Sequence, residues 1–361
     1  MTAPESSRLA RRLADEIRGA GPMRFDRFQA AALYDPDGGY YERPSRVGRE
    51  GDFVTGASWH PAFARALLRL CREVARETGR PASLLDVGAG EGELLGHLRR
   101  EAADVALSGV EVSAVRRRAA SGSLPGVPFH ASLGELRSPV HGVVVAYELV
   151  DALPVRALET GEEGEILERL VSLGADGEFR WTTAPCADAA AIAASLPEGG
   201  RGIEPGQRFE IRPGAASLCA SLARALGEGL LLVFDYGAPA RALYGPARPG
   251  GTLEAFLHHR VTRDVLSEPG SRDVTAWVDF TEVGDALRGA GLDLHGLVSQ
   301  SRLLLGLGLA GEIADAGDPF ERNALAKLVA PGGMGESLRV LVATRGASST
   351  AARAVRPLGE P

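Results

Sequence analysis

Three observations in this sequence predict an α/β fold built on a mostly parallel sheet. The first is Leu84-Leu85-Asp86-Val87-Gly88-Ala89-Gly90-Glu91-Gly92-Glu93-Leu94-Leu95, where an apolar run meets three alternating glycines and then restarts at helical spacing. That pattern is a strand, a tight turn and a helix start. The second is the recurrence of apolar runs at 105–112, 142–147, 229–235 and 338–344 between segments of helical period. Such alternation implies parallel strands joined by helical crossovers. The third is the polar content at two run ends, Tyr147-Glu148-Leu149-Val150-Asp151 and Asp235-Tyr236-Gly237.

Taken in order, residues 5–35 read as two helices separated by Gly19-Ala20-Gly21-Pro22, with Leu9, Leu13 and Ile17 on one stripe. From Asp35 to Gly56 turn residues and aromatics form a long loop, a candidate lid. Pro61 to Thr78 is an amphipathic helix, ended by Gly79-Arg80-Pro81. Strand, helix and strand follow from Leu84 to Val112, then a short segment at 127–131 and the strand 142–147. After Pro154 the period changes: 166–173 and 179–183 read as a hairpin joined by Gly174-Ala175-Asp176-Gly177. Helix 214–226 feeds strand 229–235, and 238–278 reads as irregular. Helix 281–289, strand 292–299, helices within 303–328 and strand 338–344 close the pattern. The expected organisation is an N-terminal helical cap and lid over 1–80 and a core over 81–345. The core carries insertions at about 155–213 and 238–278, and a flexible tail covers 346–361.

At 361 residues the chain is long enough for one large domain with insertions, and 45% hydrophobic residues supply an ordinary core. A formal charge of -7 without a basic tract opposes general nucleic-acid binding. The basic side is almost all arginine, Lys327 being the only lysine. Cys71, Cys186 and Cys219 are few, scattered and odd in number, which fits a reducing compartment. No apolar run approaches membrane-spanning length and the N-terminus lacks a signal core, so a cytoplasmic, non-membrane protein is expected. The oligomeric state is left open.

The glycine spacing selects among nucleotide-like cofactors. The dinucleotide fingerprint G-x-G-x-x-G needs a glycine at 93, where this chain has Glu93. The pattern acidic-x-G-x-G-x-G, from Asp86 through Gly88 and Gly90 to Gly92, suits S-adenosylmethionine. That molecule has no phosphates for Glu91 and Glu93 to repel. An ordinary structural turn is the plain alternative. Glu111, at the end of the next strand, is placed to accept both ribose hydroxyls.

On the acceptor side, Glu148 and Asp151 leave a buried strand into a turn, and Asp235 ends its neighbour. Tyr40, Tyr41, Tyr147 and Trp277 are candidate walls of an acceptor channel, or core aromatics. The seven histidines show no ligand spacing, His258-His259 being adjacent, and no metal is expected.

With these motifs in order the chain resembles the MidA-type methyltransferases, the family of the mitochondrial complex I assembly methyltransferase and its bacterial relatives. The resemblance runs from about Gly21 to Arg345. It rests on Gly39-Tyr40-Tyr41, Gly51-Asp52-Phe53-Val54-Thr55, the glycine turn, Glu148 to Pro154, Asp235-Tyr236-Gly237, Gly251-Thr252-Leu253, Asp273 to Phe280 and Met334-Gly335-Glu336. It implies a class I, Rossmann-like methyltransferase with a seven-stranded, mostly parallel sheet. Carried over by position, Asp52, Thr55, Asp86, Gly88, Gly90, Glu111 and Glu148 would bind S-adenosylmethionine. Glu148, Asp151 and Asp235 would serve the acceptor, a protein arginine, with a respiratory-complex or other assembly subunit as partner. Two departures bear on the acceptor. The chain has Gly56-Ala57-Ser58-Trp59-His60-Pro61 where the family often has Ser/Ala-Pro-Glu, and Tyr147 where it usually has Asn. A small-molecule methyltransferase, a scaffold factor retaining the fold, and a nicotinamide enzyme, which Glu93 disfavours, are the alternatives.

Overall fold

The computed structural model describes residues 5–43, 60–200, 202–257, 260–330 and 333–355. The chain divides into two units. One comprises Arg46–Val150, Ala216–Gly237 and Glu282–Pro361, the other Met1–Ser45, Asp151–Ala215 and Ala238–Thr281.

The first unit is organised by a sheet whose strands, in chain order, are β1 (Ser83–Val87), β2 (Ala106–Val110), β3 (Phe129–His130), β4 (Val140–Tyr147), β5 (Leu226–Ala238), β6 (Asp293–Ser299) and β7 (Leu338–Arg345). They lie in the order β6-β7-β5-β4-β1-β2-β3. Strands β1 to β5 are parallel to one another, while β7 runs antiparallel to β5 and β6. The sheet is mostly parallel, as expected. Its central strands are apolar without alternation because both faces are covered: Val143 to Ala146 and Leu230 to Phe234 are fully buried. The pairing Val87↔Ala146 brings the carboxyl ends of β1 and β4 level, while β5, paired through Ala146↔Val233, runs on to Ala238. Strand order reverses between β1 and β4, the position where open α/β sheets take their ligands.

Helix Pro61–Thr78 belongs to this unit and not to an N-terminal cap. Its start is fixed by His60, whose Nδ1 accepts the Ala62 N–H at 3.1 Å, and its end by Gly79 at φ 69°. Phe63 on its buried face meets Tyr147 and Phe234, with ring centroids 5.4 and 5.5 Å away. The expected flexible tail needs correction as well. Ser348–Val355 is a helix with Ala351 and Ala354 buried. Its first N–H groups, from Ser349 and Thr350, donate to the Glu77 carboxylate at 3.0 and 2.8 Å. Against the cost of burial, hydrogen bonds from Thr350 and Ser349 hold Glu77 down at about 2. A cap reaching in from a distant helix leaves no local signal in the sequence.

The second unit holds an antiparallel sheet of Met23–Arg24, Ile166–Leu173, Arg156–Thr160 and Arg208–Ile211, with Phe179–Pro185 paired to Ile166–Leu173. The expected hairpin is therefore present. Helices Glu5–Ala20 and Phe25–Tyr34 pack here, Phe25 against Trp181 and Phe28 against Phe179 at 5.0 and 5.2 Å. The 238–278 stretch is not irregular throughout. Glu254–Leu257 pairs antiparallel with Arg260–Thr262 and with Asp273–Thr275. Strands of three or four residues are too short to display a period of two.

Among the described residues no helix is long and apolar enough to cross a membrane.

Candidate cofactor and acceptor site

The turn after β1 is built as its glycines require. Gly88, Gly90 and Gly92 have φ of 81°, 57° and 87°, values open to glycine and costly for other residues. Gly88 and Ala89 donate to the Val110 carbonyl at 2.9 and 3.0 Å, which fastens the turn to the end of β2. Gly92 then starts helix Glu93–Glu101.

Glu111, just beyond β2, is buried and spans two elements. Its Oε2 accepts the Gly90 N–H at 2.9 Å and its Oε1 the Ser113 N–H at 2.8 Å. Ser113 caps the next helix by accepting from the Arg116 N–H. Asp86 is buried too, and burial, then the charges of Glu93 and Glu111, push its pKa up to about 7. Burial chiefly raises Glu93 as well, with Glu91 and Glu111 adding to the rise and Arg116 opposing it. Asp86, Glu91, Glu93 and Glu111 thus crowd the glycine turn. A pyrophosphate there would be repelled, whereas a cation would relieve the crowding. S-adenosylmethionine, with a sulfonium and an ammonium group and no phosphate, fits that donor set.

Glu148 follows directly on β4. Its N–H continues the ladder to the Phe234 carbonyl at 2.8 Å, yet its own φ is 47°, a left-handed conformation rare for glutamate. It is half-buried, with Oε1 shielded from solvent. Because β1 and β4 end level, Glu148 emerges beside Gly88. Leu149 closes over that glycine.

Asp235 does not face an acceptor. It is wholly buried, and its carboxylate accepts the Val150 N–H through Oδ2 and the Tyr236 N–H through Oδ1, both at 2.9 Å. Nor is Tyr147 a channel wall. Its ring packs in the core against Phe63 and Phe234, and its hydroxyl donates to Gln300 Oε1 at 2.8 Å. An Asn there would be too short to fill this space.

In the second unit Asp151 is buried and its carbonyl accepts from Arg212. Arg212 carried no sequence signal, being one of 40 basic residues. Its guanidinium bonds the carbonyls of Ala276 (2.7 Å), Trp277 (3.3 Å), Asp151 and Leu153 (both 3.4 Å). It thereby staples 151–153 to 276–277. Trp277 is half-buried, with the Arg248 guanidinium 3.8 Å from its ring centre. Its backbone N–H donates to the Thr252 hydroxyl, which donates in turn to buried Glu210. Tyr41 donates to the Asp273 carboxylate at 2.9 Å and, with Tyr40, packs into the apolar core of this unit. Asp52, Thr55, Trp59, His258 and His259 lie outside the described residues.

Among the described residues Glu168, Cys186 and Asp188 have ligand atoms within 4.8 Å of one another. The Arg156 guanidinium lies among them and donates to both carboxylates. Arg156 thus offsets one of the two carboxylate charges, and the Arg24 guanidinium lies 3.9 Å from Glu168.

Sheet order, glycine turn and acidic surround define a class I methyltransferase. The family model of S-adenosyl-L-methionine-dependent methyltransferases matches residues 62–298, and the chain belongs to that family. A Burkholderia thailandensis protein solved with S-adenosyl-homocysteine bound superposes with a TM-score of 0.83 at 30% identity, covering 95% of this chain and 93% of that one. Mitochondrial protein arginine methyltransferase NDUFAF7 of Xenopus tropicalis is 26% identical over 340 residues, 83% of this chain and 75% of the relative. The human protein of that name is 25% identical over 342 residues, 83% and 73% of the two chains. The MidA-type resemblance is thereby borne out: the chain is a methyltransferase that uses S-adenosylmethionine. The cytoplasmic expectation does not stand, because these curated relatives are mitochondrial by name.

Proposed function

We propose that the chain methylates an arginine side chain of a protein, a respiratory-complex or other assembly subunit being the class of target. The observation that carries this reading is Glu148. A carboxylate leaves β4 level with the glycine turn, in a backbone conformation that only strong local constraint maintains. The relatives named protein arginine methyltransferase support the choice of acceptor.

When bound, S-adenosylmethionine supplies an electrophilic methyl group on a sulfonium. The turn from Gly88 to Gly92 receives it, with Asp86 and Glu93 offering negative charge. Glu111, at the end of β2 beside the turn, would accept from the ribose hydroxyls. Asp52 and Thr55 complete the assignment by position. In-line transfer needs the acceptor nitrogen held at roughly 3 to 3.5 Å from the methyl carbon. A guanidinium has a pKa above about 12 and a delocalised lone pair. Glu148 pairs with two of its N–H groups and draws positive charge away from the attacking nitrogen. Asp151, three residues further along the chain, is assigned to the acceptor by its position in the motif.

The test is transfer of labelled methyl from S-adenosylmethionine into lysate of a strain lacking the gene. Label in protein that hydrolyses to methylarginine is the expected result. Label confined to small molecules overturns the protein-arginine reading.

A further inference from the structure

Phe234 and Asp235 of β5 grip the turn that follows β4 at two points. The Phe234 carbonyl accepts the Glu148 N–H at 2.8 Å, and the next residue, Asp235, accepts the Val150 N–H at 2.9 Å. Between them sits Leu149, whose side chain covers Gly88 of the cofactor turn. Glu148 meanwhile holds φ 47°, a conformation that persists in a non-glycine residue only when its surroundings over-determine it. Asp235 is fully buried, and its second oxygen accepts the Tyr236 N–H at 2.9 Å. Two backbone donors converge on one side chain, so two acceptors are required. A carboxylate provides both, with charge-assisted bonds about twice as strong as neutral ones. An amide would turn its NH2 toward one of the donors.

We propose that Asp235 is a positioning residue for methyl transfer. It fixes the 148–150 turn and through it the direction of the Glu148 carboxylate, without touching the acceptor. This inference rests on the reading of Glu148 as the acceptor-orienting group.

The experiment is a double-mutant cycle of wild type, Asp235→Asn, Glu148→Gln and the pair. Initial rates of labelled methyl transfer are measured at saturating S-adenosylmethionine, with lysate protein of the deletion strain as acceptor. Affinity for S-adenosylhomocysteine is measured by calorimetry. Asp235→Asn is expected to slow transfer about 10²-fold, the scale of a misplaced reacting group, and to change affinity by less than about threefold. The pair should be no slower than Glu148→Gln alone within about threefold, because one residue acts through the other. Independent losses that multiply to about 10⁴-fold, or a wild-type rate for Asp235→Asn, overturn the proposal. If Glu148→Gln keeps the wild-type rate, the reading of Glu148 fails and the proposal fails with it. If Glu148→Gln is slow but the losses multiply, only the role of Asp235 fails. Should Asp235→Asn not bind S-adenosylhomocysteine, Asp235→Glu takes its place in the cycle. That variant keeps both oxygens but moves them by one methylene.

Discussion

The side chain of Leu149 closes over Gly88 so tightly that a β-carbon added to the glycine would lie 2.9 Å from Leu149 Cδ1. Gly88 is also at φ 81°, so alanine there meets both strain and a clash. Gly88→Ala is expected to cost about 1–3 kcal/mol and to weaken S-adenosylhomocysteine binding at least about tenfold, since the turn must shift. Gly79→Ala is the control: φ is 69°, but nothing lies within 4 Å of the new carbon. It should cost about 1 kcal/mol and leave affinity unchanged. Calorimetry and thermal melts on both variants check the pair. Equal affinities would show that Leu149 yields freely.

Tyr147 and Gln300 share a buried hydrogen bond at 2.8 Å. Tyr147→Phe keeps the aromatic contacts with Phe63 and Phe234 and leaves Gln300 Oε1 without that donor. A loss of about 1–3 kcal/mol with kcat unchanged is the expected outcome in denaturant titration and transfer assays. A drop in kcat at unchanged stability would return Tyr147 to the acceptor channel.

Asp86 is expected to make cofactor binding depend on pH. Burial first, then Glu93 and Glu111, raise its pKa from 3.8 to about 7. The folded protein therefore holds more protons than the unfolded chain between those values. This group lowers stability as pH rises through that window, and the loss is complete above about 7. A bound cation favours the ionised form, so affinity for S-adenosylmethionine should rise toward pH 7 and then level off. Below it, one proton costs at most about tenfold per pH unit. Calorimetry from pH 5.5 to 8.5 checks this, and Asp86→Asn should flatten the slope. A slope unchanged in that variant would assign the proton elsewhere.

All three cysteines are poor nucleophiles in the folded state. Burial pushes Cys71 and Cys219 up to about 12 and, with the Asp188 hydrogen bond, also raises Cys186. An aromatic disulfide reagent at pH 8 should label none of them within minutes, and all three after addition of denaturant. Rapid labelling of the native protein would contradict this burial.

Much of the sheet could be read from residues 84–95, 142–147 and 229–235, because a buried parallel strand is an uninterrupted apolar run and a left-handed turn announces itself as glycine. Glu111 was legible for the same local reason, standing at the end of a strand beside that turn. What Asp235 and Tyr147 do could not be read this way. Asp235 answers to Val150 and Tyr147 to Gln300, partners 85 and 153 residues away. The helix at 348–355 depends in the same manner on Glu77, and the staple from 151–153 to 276–277 on Arg212. Local pattern specifies which segments become strands, turns and helices, since backbone preference and periodicity act over a few residues. Whether a polar side chain at a strand end faces a ligand or braces its neighbour is decided by which strands become adjacent, and so by tertiary structure.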